Sequence, residues 1–231
     1  MIPLADTVHS RSAPLVNISL ILINVVVFIY ETSLGRQIEP FLNTWGVIPA
    51  ELLANPLEEW PTLFTAMFLH GGWFHLISNM WALWIFGDNV EDRMGSLTYL
   101  LFYLGAGVIA SLVQVFFSQG SMIPSVGASG AIAGVLGAYL VLFPTARVIG
   151  LIPIFFFLYT VELPALLYLG FWFISQLFSG VAGLAFADTA QEVGGIAYWA
   201  HAGGFVVGLL VGPRFRRRPR QRYWPDQYFP F

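Results

Sequence analysis

The chain has 231 residues, 57% of them hydrophobic and 10% charged, against roughly 25% charged residues in ordinary soluble domains. Its charges fall between long uncharged runs, each about the length a bilayer requires; this excludes a soluble domain and marks an integral membrane protein. The absence of cysteine excludes disulfides, thiolate nucleophiles and cysteine-ligated metal sites, and the net charge of −3 matters less than where the charges lie.

Six spans are predicted in chain order, and the expected class is an all-α membrane protein. Residues 1–14 precede the first span, Leu15 to Tyr30. A long loop follows from Glu39 to Leu69, with Pro40, Pro49, Pro56 and Pro61. Pro49 suits the first turn of a short helix lying in the interface. The second span runs from Trp73 to Phe86, the third from Ser96 to Phe117 and the fourth from Gly127 to Phe143. Val148 to Tyr159 is too short to cross and is expected to cap or dip into the membrane. The fifth span covers Leu163 to Leu184 and the sixth Gly194 to Gly212, leaving an arginine-rich tail at 213–231.

Arginine positions give the direction. Arg11, Arg93, Arg147, Arg214, Arg216, Arg217, Arg218, Arg220 and Arg222 fall on one side of six spans, and Arg36 on the other. The positive-inside rule then places both termini in the cytoplasm. The tail reads as this topological signal and not as a nucleic-acid site, so the expected partners are the lipid bilayer and other membrane proteins. The expected location is a prokaryotic plasma membrane.

Two polar residues stand out inside these runs. Ser129 lies in Gly127-Ala128-Ser129-Gly130 near the outer end of span four, and His201 in His201-Ala202-Gly203-Gly204 within span six. Ionisable residues at membrane depth are functional candidates by default, and serine with histidine is the minimal activated nucleophile. His201 is about seven residues, or about 10 Å, into its span. Span four has about 17 residues, roughly 25 Å, short for a hydrocarbon core of about 30 Å. Its outer end can sit submerged, at the level of His201.

Gly130, Gly134 and Gly137 share one face of span four, and Gly204, Gly208 and Gly212 one face of span six, with His201 three residues before Gly204. Small-residue stripes let helix backbones approach, so Gly130, Gly134, Gly204 and Gly208 are expected to pack the two spans together. His75 and Asn79 are four apart on span two and share a face. They are either hydrogen-bond donors for an oxyanion or polar glue between helices; His70, in the preceding loop, is expected to order that loop. No cofactor or metal is expected, because no His-Glu-x-x-His helix occurs and no two carboxylates face each other within spans. The midplane charges in paired halves that a transporter would carry are also absent.

These pieces resemble the rhomboid family of intramembrane serine proteases. The matching segments are His70-Gly71-Gly72-Trp73-Phe74-His75 with Asn79, Glu91-Asp92-Arg93-Met94-Gly95, Gly127-Ala128-Ser129-Gly130, and His201-Ala202-Gly203-Gly204 with Gly208. The resemblance implies a six-helix rhomboid-like bundle at 15–212, with Ser129 as nucleophile and His201 as general base, a dyad without a third acid. It implies that His75, Asn79 and the Ser129 backbone N–H form the oxyanion hole, and that Phe171-Trp172-Phe173 on span five help form a lateral gate. Substrates would be transmembrane segments with a small residue at the cut and helix-breaking residues nearby. The alternative is a rhomboid-fold protein that binds membrane clients without cutting them. Two departures from relatives are visible: Trp60-Pro61-Thr62 lacks an arginine after the tryptophan, and Ala133 replaces a tyrosine that packs on the histidine. Orientation of His201 is then left to other neighbours, such as Tyr198 or Trp199.

Overall fold

The structure, a computed structural model, describes residues 1–154, 157–185 and 197–216. Helix α1 (Leu15–Ser33) leads into four short helices, α2 (Ile38–Trp45), α3 (Pro49–Ala54), α4 (Pro56–Glu59) and α5 (Thr62–Thr65). Then come α6 (Trp73–Met94), α7 (Ser96–Phe117), α8 (Ser129–Leu142), α9 (Ala165–Ala185) and α10 (Tyr198–Val211). Pro49 opens a short helix as its position predicts. Among the described residues, three helices are long and apolar enough to cross a membrane: Leu15–Ser33, Ser96–Phe117 and Ala165–Leu184. α6 continues beyond the predicted second span, and Asp88, Glu91, Asp92 and Arg93 make its last turns polar. α8 and α10 are apolar but have 14 residues each, about 21 Å at 1.5 Å per residue. The start of the predicted sixth span at Gly194, and Arg217, Arg218, Arg220 and Arg222 of the tail, lie outside the described residues.

α8 forms the centre. Every residue from Gly130 to Tyr139 is buried, and α6, α7 and α10 pack around it. A helix apolar on all sides has no preferred solvent face and is stable only when surrounded. α1 lies outside α6 and turns a polar stripe inward. Asn17, Asn24 and Glu31, spaced by seven residues, are all buried. The Asn17 amide donates to the Leu83 carbonyl at 3.0 Å and accepts the Tyr99 hydroxyl at 2.8 Å. Gly87 makes this approach possible, since a Cβ there would lie 2.1 Å from Asn17 Oδ1.

The Glu91-Asp92-Arg93-Met94-Gly95 segment serves this packing. Glu91 accepts the Val16 and Asn17 N–H groups at 3.2 and 2.8 Å and the Ser96 hydroxyl at 2.6 Å. Asp92 accepts the Ser12 hydroxyl and N–H at 2.6 and 3.0 Å. A helix start leaves N–H groups unpaired and partially positive, so two carboxylates at the end of α6 complete the first turn of α1. Gly95, at φ +81°, then reverses the chain into α7.

The all-α expectation needs one correction. β1 (Ile2–Asp6), β2 (Arg147–Ile154) and β3 (Phe157–Pro164) form an antiparallel sheet in the order β1-β2-β3. The segment Val148 to Tyr159, expected to cap or dip into the membrane, is therefore mostly strand. Its β-branched Val148, Ile149 and Ile152 suit a pleated ladder, and Val148 pairs with Leu163. An open sheet edge carries backbone groups that hydrocarbon cannot satisfy, which puts the sheet outside the apolar layer, at the end where α8 stops. β1 docks there by its last residue: Asp6 accepts hydrogen bonds from the Tyr139 hydroxyl of α8 and, at 3.1 Å, from Asn89 of α6.

Burial pushes the Asp6 carboxyl up to about 6, although the Tyr139 hydrogen bond opposes the shift; Asp88 nearby adds to it. A folded-state value above the ordinary 3.8 means that ionisation weakens the fold. The contribution of the protonated group is complete below about pH 4 and is lost as pH rises through about 6. Asp6→Asn keeps an acceptor for Tyr139 but cannot ionise. Thermal unfolding from about pH 4 to 7 should show the wild-type Tm falling relative to Asp6→Asn. Parallel curves would show that Asp6 does not titrate in this window.

Candidate active site

The start of α8 is set by the turn before it. Gly127 has φ +130°, and a Cβ there would lie 2.7 Å from both Cε1 and Nε2 of His75 and 3.7 Å from Ser129 Oγ. Only glycine suits both the backbone and the space. His75 and Ser129 therefore flank the same point. The first helical bond of α8 runs from the Ile132 N–H to the Ala128 carbonyl. The Ser129 N–H lies in the first turn, among groups that a helix cannot pair internally.

His201 occupies the first turn of α10 and is 8% exposed. Its Nε2 is 2.7 Å from Ser129 Oγ, so the structure brings together the two residues that the sequence singles out. Close backbone packing holds them there. A Cβ at Gly204 would lie 2.0 Å from the Gly130 carbonyl oxygen, and one at Gly208 would lie 2.0 Å from that of Gly134 and 2.5 Å from Ala138 N. Gly137 similarly faces the Phe205 backbone at 2.1 Å. Gly130 and Gly134 also serve a second contact, since a Cβ on either would meet Ala110 or Ala106 of α7 at 2.7 Å. The glycines of α8 thus admit neighbours on two sides.

Asn79, 7% exposed, lies one turn after His75 on α6. Its Nδ2 is 3.1 Å from His70 Nε2, and the His70 backbone N–H points at the Glu31 carboxylate at 3.2 and 3.3 Å. His70 thus ties its loop to α1 and α6, the ordering role expected of it. An amide nitrogen carries two hydrogens, so the bond to His70 uses one and leaves the other. The glue and oxyanion-donor readings of Asn79 draw on different hydrogens.

Two polar residues of this neighbourhood escaped the sequence reading. Gln176 of α9 places Oε1 2.8 Å from His201 Nδ1. Trp199, one of the neighbours expected to orient the imidazole, instead stacks on Phe117 with centroids 3.8 Å apart. Trp172 lies beside His201 at 5.7 Å, and Phe173 stacks on Phe205 at 4.6 Å. The second missed residue is Glu31, which holds His70. The available signal was a lone amide or carboxylate within an apolar run, the same criterion that exposed Ser129 and His201. Beside Ser129 is a cavity of about 20 Å³ whose lining includes Ser111, Ser125 and Gly127, room for about one water. Among the described residues, no group of three or more His, Asp or Glu could hold a metal ion.

Comparison with known proteins identifies the family. Residues 57–218 match the family model for the rhomboid domain. The chain is 35% identical to RHOMBOID-like protein 6, mitochondrial, of Arabidopsis thaliana over 82% of its length and 60% of the relative's. It is 32% identical to RHOMBOID-like protein 1 of the same plant, over 82% of this chain and 43% of that one. Rhomboid protease GluP of Bacillus subtilis matches at 42% over 49% of this chain and 21% of its own. A membrane-embedded helical protein with this arrangement is of the rhomboid type, and the chain belongs to the rhomboid family. It spans about half the length of the first curated relatives it matches. Because mitochondrial and Bacillus relatives match alike, membership does not select a prokaryotic plasma membrane.

The glycine contacts give a direct test. Gly208→Val would drive a side chain into the α8 backbone about 10 Å along the helix from His201. Misplacement of about 1 Å can cost about 10²-fold in rate, so under the function proposed below cleavage should fall by about that factor while membrane insertion persists. Among the described residues nothing lies within 4 Å of a Cβ at Gly183, and Gly183→Val should be mild. Full turnover by both variants in a purified assay would remove the glycine stripe as the device that places His201.

Proposed function

We propose that this chain is an intramembrane serine endopeptidase that cleaves transmembrane segments of other membrane proteins. The observation that carries the reading is the 2.7 Å contact between Ser129 Oγ and His201 Nε2, made between two apolar helices. In this reading residues 15–212 are the catalytic unit. α1, α6, α7, α8, α9 and α10 are its six spans, and 1–14 and 213–231 are cytoplasmic ends. The arginine distribution supports that orientation.

The chemistry follows from the geometry. Ser129 Oγ attacks the scissile carbonyl carbon as His201 Nε2 takes its proton. The developing oxyanion is met by the Ser129 N–H, the His75 ring and the remaining Asn79 amide hydrogen. His201 then gives its proton to the leaving amine, releasing one fragment and leaving an acyl-serine. Water attacks that ester with His201 again as base, the acyl–Oγ bond breaks and His201 returns the proton to Ser129 Oγ as the second fragment leaves as its acid; the small cavity beside Ser129 supports delivery of the water. A substrate must offer extended backbone, because a closed helix hides its carbonyls; small and helix-breaking residues at the cut supply it. A client-binding protein without activity would have no use for a hydrogen-bonded serine and histidine.

The test uses purified protein and a labelled model transmembrane substrate. Ser129→Ala, His201→Ala and the double variant should each lose at least about 10³-fold in turnover and reach a similar residual rate, since members of one unit are not additive. Cleavage that continues in Ser129→Ala would sink the mechanism. Asn79→Ala should lower kcat by about 10²-fold or more, with a smaller effect on KM. A fall in Tm with unchanged turnover per folded molecule would instead make Asn79 glue.

A further inference from the structure

Histidine can act as a base toward Ser129 in one tautomer only. Nε2 must be bare to accept the hydroxyl proton, so Nδ1 must carry the hydrogen. The tautomer is set by whatever the other nitrogen bonds, and serine proteases in which it is wrong lose most of their rate. In this chain the group at Nδ1 is the Gln176 amide, 2.8 Å away.

The amide's orientation is fixed from its own helix. Gln176 Nε2 donates to Ser175 Oγ at 3.1 Å and reaches toward the Trp172 carbonyl at 3.4 Å, while Ser175 Oγ donates to that carbonyl at 2.6 Å. With its nitrogen so engaged, Gln176 presents its carbonyl oxygen, an acceptor only, to His201. A flipped amide would present N–H to Nδ1 and force the hydrogen onto Nε2, the wrong tautomer. His75 is a second imidazole near this pair, and it approaches from α6, on the side of Gly127 and Ser129.

We infer that Gln176 is the positioning residue of the Ser129–His201 pair, a neutral third member that holds His201 in the Nδ1–H tautomer. The inference rests on the proposed roles of Ser129 and His201. It also has a structural consequence. Gln176 comes from α9, whereas the dyad comes from α8 and α10, and among the described residues α9 is the least buried of the three long apolar helices. His201 is therefore set for catalysis only while α9 is docked, through Gln176, Trp172 and Phe173, against α10.

The experiment compares wild type, Gln176→Leu and Gln176→Glu in cleavage of the model transmembrane substrate and in labelling of Ser129 by a fluorophosphonate. The probe is small and needs no transmembrane segment to pass α9, so it reads serine reactivity alone. Gln176→Leu should lower kcat and the labelling rate together, by about 10–100-fold, with KM within about 2-fold. Gln176→Glu restores an acceptor at Nδ1 and should recover most of both. Phe178→Ala, at an exposed position on α9, should label at the wild-type rate. ¹⁵N spectra of histidine-labelled wild type, assigned by the signal lost in His201→Ala, should show Nε2 of neutral His201 bare and Nδ1 protonated. That measurement needs no variant at Gln176 to fold. A protonated Nε2 in the resting enzyme, or wild-type labelling by Gln176→Leu, would overturn the inference while leaving the protease reading intact. A wild-type protein that neither labels at Ser129 nor cleaves would overturn both.

Discussion

The contact between α8 and α10 is the constraint from which the rest of the molecule follows. Between helices in lipid there is little hydrophobic drive, because lipid tails are as apolar as leucine. Association must come from backbones approaching closely, and here Gly204 and Gly208 lie directly on the carbonyls of Gly130 and Gly134. That approach brings the first turns of two short helices level, and Ser129 and His201 lie in those turns. α7 brings Ala106 and Ala110 against the same glycines. α8 is therefore clamped, and the position of Ser129 is fixed by neighbours on more than one side.

Polar groups within apolar helices are costly unless paired, and the pairing here runs from the edge of the bundle toward the site. α1 contributes none of the proposed catalytic groups, yet Glu31 accepts the His70 N–H, and His70 in turn bonds Asn79. The loop before α6 and the face of α6 are thus secured by a helix on the periphery. The same logic operates at the other end of α1, where Glu91 and Asp92 complete its first turn. His70 Nδ1 is buried and finds no hydrogen-bond partner among the described residues, so the network holds the loop through the His70 N–H and Nε2 alone.

The small sheet links the N-terminal segment to the end of α8 remote from Ser129. Tyr139 is ten residues, about 15 Å, along α8 from the serine, and its hydroxyl meets Asp6 of β1. The serine helix is thereby held at both ends, by the Gly127 turn at one and by the strand at the other. Arg216 adds a further tie, donating to the Val141 carbonyl at 2.7 Å.

Much of this was legible in the sequence, for a physical reason. A lipid environment forces long apolar runs, so helices announce themselves by composition, and a serine or histidine within such runs is conspicuous. Gly204 and Gly208 also announce a packing face by their spacing. The sequence was less informative wherever a partner comes from elsewhere in the chain. Gln176, Glu31 and Asn17 read as isolated polar residues until folding shows them facing His201, His70 and Tyr99. Val148 to Tyr159 read as a membrane cap because its hydrophobicity says nothing about pairing; β2 in fact pairs with the β3 that follows it and, on its other edge, with β1 from the start of the chain. The sequence by itself determined the membrane class, the helical character and the identity of the serine and histidine, since these depend on local composition and spacing. Only the tertiary structure decided that Ser129 and His201 are in contact, and that an amide from a third helix meets His201 Nδ1, because a hydrogen bond across 25 residues leaves no periodicity in the chain.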